Sequence, residues 1–436
     1  MKQILIFALI LLSCVQISYA NLKVNEKVLP NGLKILTSIN KNSPLASVNV
    51  YVRTGSRNET KNEEGISHFL EHLFFRGTNN STGLEFKTQL ESLGGIANAE
   101  TSKDFTRYYI NVPCENSQKA LLMLIDALNN ASFNEDEIDQ ERKVILEEYN
   151  LHKDNLFRIF YDRIFEIAFS GHPYSKSPIG TVENIKKFKR SDFLNYRERF
   201  YSPSNLIFVL TGNFDEDLAI KTISKTYNNI QNLSFALPNQ EMKLLEKQEK
   251  IVIKKGSRQI LLLGFYGPAV TEYDDIYAVD TLCFLLGIGD GSKLKKQITD
   301  KDKDISEISI NFQTMKDKSL IIIAVSCNNK KPDDLIKQIT ELLENTAKGD
   351  FNEEDLRRAK AMLLNSFIFG NETNSGRAES IGYYETIDSY KFALNYVTNI
   401  EKVTAQDLKR IAEKMAKGPC CVLSIMPEKK PINDND

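Results

Sequence analysis

Two histidines and a glutamate lie close together in the sequence, at His68, Glu71 and His72. A helix turns by about 100° per residue, so all three side chains would lie on one side of it. Two imidazoles placed in this way can bind one zinc ion, and the carboxylate can accept a proton from water. Because the chain has only 4 histidines among 436 residues, roughly 0.005 such patterns are expected by chance. The pattern favours a metal centre over two histidines on an ordinary polar helix surface.

A catalytic zinc site usually has three protein ligands and one open position, so a third ligand is needed. On a helical wheel Glu141 and Glu148 fall on an apolar stripe, whereas Glu147 falls at a polar edge. The apolar neighbours on this stripe are Ile138, Val144, Ile145 and Leu151. A carboxylate on a core-facing stripe is costly unless it is paired or bound to a metal. We therefore predict Glu148 as the third ligand and Glu141 as its companion; an exposed acidic helix with surface ion pairs is the alternative.

The combination of His68, Glu71, His72 and Glu148 resembles the inverted zinc motif of the pitrilysin (M16) family of metallopeptidases. The closest likeness is to its short two-domain type, the mitochondrial-processing-peptidase-like bacterial peptidases (M16B). Further family-like segments occur at 29–33, 94–102, 171–180 and 200–205. The resemblance implies that His68, His72 and Glu148 bind one Zn²⁺ per subunit. It also implies that Glu71 activates a water molecule and that Glu141 assists.

The same resemblance implies an α+β fold of two similar domains, each an antiparallel-rich sheet covered by helices. Apolar runs predict strands at 46–52 and 206–212 in the first half, and at 259–265 and 319–325 in the second.

The domain boundaries follow from this division of the chain. We predict an N-terminal zinc-binding catalytic domain at 21–228 and a C-terminal domain at 251–430. The segment 229–250 is polar and lacks a clear apolar period, so it is predicted to be the linker.

A second functional pair is predicted in the C-terminal domain, at Arg377 and Tyr384, which would face the same way on a helix. The resemblance implies that this pair grips the substrate and stabilises the transition state, for which a guanidinium and a phenol are suitable donors. Tyr383 is an alternative to Tyr384, and a surface helix that carries both residues by coincidence is a further alternative.

The length of the chain gives this pair a consequence for assembly. In long members of the family four domains share one chain, with the zinc in the first and the Arg–Tyr pair in the fourth. In a two-domain chain the pair should therefore reach the zinc of a neighbouring subunit. We expect a homodimer with two complete sites, and a heterodimer with an M16-like sister chain is the alternative.

These features predict a zinc-dependent endopeptidase that cleaves peptides or unfolded segments inside a dimeric chamber. The substrate is expected to add to the strand formed by Ile96, Ala97, Asn98 and Ala99 through main-chain hydrogen bonds. A non-catalytic or partner-dependent subunit of a heterodimer is the alternative function. A purely structural zinc site would need four ligands, and no fourth His or Cys lies at a suitable spacing in the sequence.

The first twenty residues differ in character from the rest of the chain. Lys2 precedes an apolar run at 4–12, which is too short to span a bilayer, and a polar stretch then ends at Ala20. We predict a signal peptide at 1–20 and a periplasmic location, with lipid anchoring through Cys14 as the alternative. The net charge of −2, without a basic block, argues against a nucleic-acid partner.

Overall fold

The structure is a computed structural model that describes residues 23–232, 242–245, 248–254, 258–328 and 330–427. The predicted signal peptide at 1–20, with Cys14, lies outside these residues, as does part of the predicted linker at 229–250. Within the described ranges, every helix is too short or too polar to cross a membrane.

The first half of the chain builds a six-stranded sheet. In sequence order its strands are β1 (Asn25–Val28), β2 (Lys34–Ile39), β3 (Leu45–Val52), β4 (Ile96–Thr101), β5 (Thr106–Pro113) and β6 (Leu206–Gly212). Across the sheet the order is β1-β2-β6-β3-β5-β4. Strands β2 and β6 are parallel, and all other neighbours are antiparallel. Strand β4 therefore forms one edge of the sheet.

The second half builds a five-stranded sheet. Its strands are β7 (Glu249–Lys254), β8 (Gln259–Tyr266), β9 (Ile305–Phe312), β10 (Leu320–Cys327) and β11 (Cys421–Met426). Their order is β7-β11-β8-β10-β9, with β7 and β11 parallel and the rest antiparallel. This order repeats β2-β6-β3-β5-β4, and the parallel pair has the same place in both sheets. The predicted fold class of two similar antiparallel-rich domains is confirmed, whereas the domain boundaries stay a prediction.

Helices cover both sheets. The first half contributes α1 (Ile66–Leu73), α2 (Gly83–Ser92), α3 (Ser117–Asn130), α4 (Glu135–Asp154), α5 (Leu156–Ala168), α6 (Val182–Lys187), α7 (Arg190–Phe200) and α8 (Glu216–Tyr227). The second half contributes α9 (Tyr273–Gly287), α10 (Lys293–Gln297), α11 (Pro332–Lys348), α12 (Glu353–Gly370), α13 (Asn374–Ile387), α14 (Lys391–Lys402) and α15 (Ala405–Ala416).

The two faces of the first sheet pack against helices from different halves of the chain. Side chains alternate along a strand, so Val50 of β3 joins the core beneath α1 while its neighbour Tyr51 points to the other face. There Tyr51 packs with Ala378 and Ile381 of α13. A Cβ atom on Gly382 would lie 2.0 Å from the Tyr51 ring, so this close approach requires glycine. Helix α13 therefore lies on the face of the sheet opposite to α1.

Ion pairs hold α13 on that face. The buried Glu385, with its side chain 2% exposed, accepts from Lys34 at 2.6 Å and from Arg53 at 2.9 Å. The buried Arg107 donates to Glu379 at 3.1 Å. Removing a partner of the buried Glu385 is strongly destabilising, so its contacts fix α13 against the first sheet. Glu379 is 62% exposed, and its ion pair with Arg107 contributes less.

Candidate metal centre

Helix α1 separates an apolar side from a polar side. Phe69, Leu70 and Leu73 are buried in the core of the first half. His68 and His72 lie on the other side, with their ring centroids 4.8 Å apart. The amphipathic pattern of the sequence therefore packs the helix by one side and leaves the two imidazoles together on the other.

A buried carboxylate fixes the start of α1. The side chain of Glu59 accepts hydrogen bonds from the backbone N–H of Gly65 at 2.8 Å and of Ser67 at 3.0 Å. These N–H groups belong to the first turn, where no partner exists inside the helix. Burial raises the pKa of Glu59 to about 7, although these hydrogen bonds oppose the shift. The carboxylate holds the helix that carries His68 in a fixed position.

Helix α4 brings a third potential ligand to the two histidines. The Oε2 atom of Glu148 lies 3.6 Å from Nε2 of His68 and 3.5 Å from Nε2 of His72. Ligand atoms of the three residues all lie within 4.8 Å of one another. Donor atoms on one tetrahedral zinc lie about 3.4 Å apart, because zinc–nitrogen and zinc–oxygen bonds are about 2.0–2.2 Å long. The chemistry and spacing of this cluster, the one of its kind in the described part of the chain, fit zinc.

Glu141 lies two turns before Glu148 on the same helix and contacts His72 from behind. Its Oε2 atom is 3.1 Å from Nδ1 of His72, and its Oε1 atom is 2.7 Å from Nε of Arg76. An imidazole that donates its Nδ1–H to a carboxylate keeps the lone pair of Nε2 for a metal. The predicted pairing of Glu141 with the cluster is therefore present as a direct contact with one of the histidines.

The apolar stripe predicted for α4 is only partly correct. Ile138 and Ile145 are buried as expected, and Glu147 is exposed. Val144 is 42% exposed and Leu151 is 70% exposed, so the prediction that these two face the core is wrong. The surface of α4 that contacts the core is narrower than the helical wheel predicted, and Val144 and Leu151 lie at its edge.

Glu71 lies beside the cluster in a buried environment. Burial raises the pKa of its carboxyl to about 7, an effect that Thr101 and His72 partly oppose. Its Oε2 atom is buried and has no hydrogen-bond partner among the described residues. A carboxyl group with a pKa near neutrality is suited to accept and return a proton.

The pKa of His72 is shifted in the direction opposite to the one that burial alone would cause. Burial lowers its pKa, but hydrogen bonds with Glu141 and Glu148 outweigh this effect and raise the pKa to about 9. The pKa of Glu148 is lowered, chiefly by its hydrogen bond with His72. When no metal is bound, both shifts favour a protonated His72 beside an ionised Glu148.

The predicted substrate strand is a sheet edge next to this cluster. Ile96, Ala97, Asn98 and Ala99 lie in β4, which packs beside α1 and, among the strands that the structure describes, pairs with β5 alone. Ala97 and Ala99 pack towards the core, whereas Ile96 and Asn98 are directed outwards and exposed. The main-chain N–H and C=O groups along the outer edge of β4 can therefore form hydrogen bonds with a further strand.

A cavity of about 490 Å³ opens beside His68 and Glu148. Both halves of the chain contribute to its wall. Its apolar lining consists of Phe105, Tyr161, Pro178, Ile179, Met315 and Tyr383. The hydroxyl of Tyr383 donates to the carbonyl of Thr314, and its ring lies 5.6 Å from that of Phe105. Sequence reasoning missed this cavity, because Met315 and Tyr383 reach it only through the docking of the two halves.

The predicted pair Arg377 and Tyr384 is not brought to the cluster of its own chain. Arg377 donates from Nε to the carbonyl of Asn371 at 2.9 Å, on α13, which covers the opposite face of the sheet from α1. The ring of Tyr384 stacks on Phe392 with centroids 4.4 Å apart in the second core. Tyr383, the alternative to Tyr384, is the one that reaches the cavity beside the cluster.

The remaining histidine with a described side chain has a local role. Nδ1 of His172 accepts from the backbone N–H of Tyr174 at 3.2 Å, and Nε2 lies 3.6 Å from Asp317. His172 is buried in this loop and is not part of the cluster. The side chain of His152 lies outside the described residues.

The chain thus has two similar sheet-and-helix halves, with a cluster of two histidines and one carboxylate on the first. Residues 34–182 match the family described as Insulinase (Peptidase family M16), and residues 187–363 match the Peptidase M16 inactive domain. Zinc protease PqqE of Helicobacter pylori is 30% identical over 403 residues, which cover 91% of this chain and 90% of that protein. The chain therefore belongs to peptidase family M16, as the resemblance implied.

Other relatives and solved structures agree with this membership. An uncharacterized zinc protease of Rickettsia felis is 29% identical, covering 90% of this chain and 94% of that protein. The probable mitochondrial-processing peptidase subunit beta of Arabidopsis thaliana is 27% identical, covering 88% and 75%. The crystal structure of a Helicobacter pylori protease matches with a TM-score of 0.85 at 29% identity, over 93% of this chain and 100% of that chain. The short type of the family is thus confirmed.

Proposed function

We propose that the chain is a zinc-dependent endopeptidase in which His68, His72 and Glu148 hold one Zn²⁺ and Glu71 is the general base. The observation that carries this proposal is the convergence of the three ligand atoms within 4.8 Å, next to a buried carboxyl with a pKa of about 7. The zinc proteases among its relatives support the same reaction class.

In this mechanism the metal and the side chains of Glu71 and Glu141 have separate roles. Zinc supplies a Lewis acid and lowers the pKa of water. Glu71 accepts a proton from the attacking water and later delivers it to the leaving nitrogen, which its raised pKa permits near neutral pH. Glu141 holds His72 by its Nδ1 atom, so that Nε2 stays directed towards Glu148 and the metal.

The substrate binds in an extended conformation along β4. Its backbone pairs with the free edge of the strand at Ile96, Ala97, Asn98 and Ala99, in the manner of an added strand. Main-chain pairing of this kind selects an extended, unfolded segment more than a particular sequence. Peptides or unfolded segments are therefore the expected substrates.

One substrate side chain enters the cavity beside His68 and Glu148. Its volume of about 490 Å³ and the apolar part of its wall suit a large apolar or aromatic side chain next to the cleaved bond. The rest of the wall is polar and includes Lys103, Asp104, Arg158 and Asp162. Tyr383 and Met315 belong to the second half of the chain. The second half would then take part in substrate selection within the same chain.

Arg377 and Tyr384 act in this proposal on the centre of a neighbouring subunit. Arg377 donates to the carbonyl of Asn371 and Tyr384 stacks on Phe392 in the second core, so both side chains are held away from the centre of their own chain. A homodimeric chamber would supply each centre with the pair from the partner. Sedimentation analysis of the purified chain tests this assembly, and a monomer with full activity would contradict it.

Export to the periplasm, after removal of a signal peptide at 1–20, is also part of the proposal. Its support is the short apolar run at 4–12 that ends before Ala20. N-terminal sequencing of the exported chain tests it, and a blocked, lipid-bearing Cys14 at the N-terminus would favour the anchored form.

The decisive experiment is the cleavage of a quenched, unstructured peptide by the purified chain alone. The Glu71→Gln variant is the matched control, because it retains the three ligands and changes only the proposed base. Cleavage by the wild type and not by the variant, with equal zinc content in both, supports a self-sufficient peptidase. Zinc-loaded wild type without activity would point instead to a partner-dependent or non-catalytic subunit.

A further inference from the structure

Arg76 lies one helical turn beyond His72, just past the end of α1. Its Nε atom donates to Oε1 of Glu141 at 2.7 Å. The other oxygen of the same carboxylate, Oε2, lies 3.1 Å from Nδ1 of His72. These contacts form an unbroken chain from a half-exposed guanidinium to one of the two imidazoles of the metal cluster.

The carboxylate in the middle of this chain is almost fully enclosed. The side chain of Glu141 is 4% exposed, and a buried carboxylate is costly unless its oxygens are paired. One oxygen is paired with His72 and the other with Arg76, so the carboxylate plane is fixed from both sides. The contact with Arg76 is the shorter of the two, at 2.7 Å against 3.1 Å for His72, and the guanidinium is a charged donor at every pH of interest.

The backbone of Arg76 is itself held in place. Its N–H donates to the carbonyl of Leu73 at 3.0 Å, and α2 begins directly against it. A Cβ atom on Gly83, the first residue of α2, would lie 2.5 Å from the carbonyl oxygen of Arg76. The guanidinium is thus carried by a fixed main-chain position and is not merely a mobile surface charge near an acidic helix.

We propose that Arg76 is a positioning residue of the metal centre, which acts through Glu141 to hold His72 with Nε2 directed at the metal. This inference rests on the proposed zinc centre and adds a residue that neither the motif nor the resemblance implied. Groups that support a metal-binding histidine typically change metal affinity by about 10–100-fold when they are removed. Arg76 reaches His72 only through Glu141. We therefore expect its removal to weaken zinc binding by an amount at the lower end of this range.

The test compares Arg76→Gln, Glu141→Gln and the double variant by the dissociation constant for zinc, measured in competition with a chelator at fixed pH. We expect Arg76→Gln to weaken zinc binding by about tenfold. Because Arg76 acts through Glu141, the double variant should bind zinc no more weakly than Glu141→Gln alone. The melting temperature of the metal-free Arg76→Gln chain should stay within a few degrees of wild type.

Glu137→Gln is the matched control. Glu137 lies one turn before Glu141 on α4, and the charge of Arg76 lowers its pKa against the larger effect of burial. The control removes a neighbouring carboxylate without touching the contact between Glu141 and His72. Zinc affinity equal to wild type is expected.

Three results would overturn the inference. Unchanged zinc affinity in Arg76→Gln would show that the contact does not support the centre. Additive losses in the double variant would show that Arg76 does not act through Glu141. A metal-free Arg76→Gln chain that melts far below wild type would assign Arg76 a structural role. A wild-type chain that fails to bind zinc would instead refute the proposed function, which separates the two failures.

Discussion

Zinc binding by this chain should depend steeply on pH, because a proton competes with the metal for His72. In the metal-free chain burial lowers the pKa of His72, but hydrogen bonds with Glu141 and Glu148 raise it to about 9. The imidazole must lose this proton before Nε2 can bind a metal. Glu148 contributes no such proton near neutral pH, because its pKa is lowered by the same hydrogen bond with His72.

The size of the effect follows from the raised pKa. With a pKa of about 9, only about 1% of His72 is neutral at pH 7 in the metal-free chain. Zinc affinity should therefore rise by about tenfold per pH unit from pH 7 towards 9 and then level off. Over two units this is about 2.7 kcal/mol. The sign is fixed: the raised pKa weakens zinc binding below the pKa and has no effect above it.

The assay is competition for zinc with a chelator whose own protonation is corrected, repeated between pH 6.5 and 9.5. Glu141→Gln is the informative variant, because loss of the carboxylate charge lowers the pKa of His72 and moves the levelling-off to lower pH. Zinc affinity that is flat between pH 7 and 8.5 would refute the reasoning. If zinc affinity levels off at the same pH in Glu141→Gln as in the wild type, another group must release the proton.

Single substitutions test the proposed base, the contact of α13 with the first sheet and the wall of the cavity. Glu71→Gln should retain zinc and lose about 10²–10⁴-fold in peptide cleavage, the usual share of a general base, as measured by metal content and turnover. Gly382→Ala should lower the free energy of unfolding by about 1–3 kcal/mol, because its Cβ would overlap the Tyr51 ring; Gly370→Ala, which meets nothing within 4 Å, is the control in denaturant unfolding. Tyr383→Ala should enlarge the cavity and change the ratio of kcat/KM between peptides with phenylalanine and with alanine beside the cleaved bond, and an unchanged ratio would exclude Tyr383 from selection.

The residues that sequence reasoning located best are those whose geometry is local. His68, Glu71 and His72 lie within two turns of one helix, so their spacing alone fixes their common side. Glu141 and Glu148 are likewise two turns apart on α4. The cost of burying a carboxylate correctly singled out Glu141, whose side chain is 4% exposed, whereas the side chain of Glu148 is 38% exposed. The meeting of α1 with α4 is a tertiary contact, and here the family resemblance supplied what spacing could not.

The residues that sequence reasoning placed poorly depend on how the two halves dock. Tyr383 and Tyr384 are adjacent on α13, and only the seating of this helix on the first sheet decides which one reaches the cavity. Met315 arrives in the cavity from the connection between β9 and β10, far from the motif in sequence. The exposure of Val144 and Leu151 has a different origin: a helical wheel gives the direction of each side chain but not the width of the surface that covers the helix.

The repeated architecture gives the helix that carries the metal cluster a counterpart in the second half of the chain. Helix α9 follows β8 just as α1 follows β3, and the strand orders of the two sheets correspond. Helix α1 packs by one side and leaves its polar side open beside the edge strand β4. Helix α9 is enclosed by α12, α15 and β9, and apolar residues such as Leu282 and Leu285 are buried along it. Helix α9 also carries no histidine, so the two imidazoles that α1 presents beside β4 have no counterpart at the matching place in the second half.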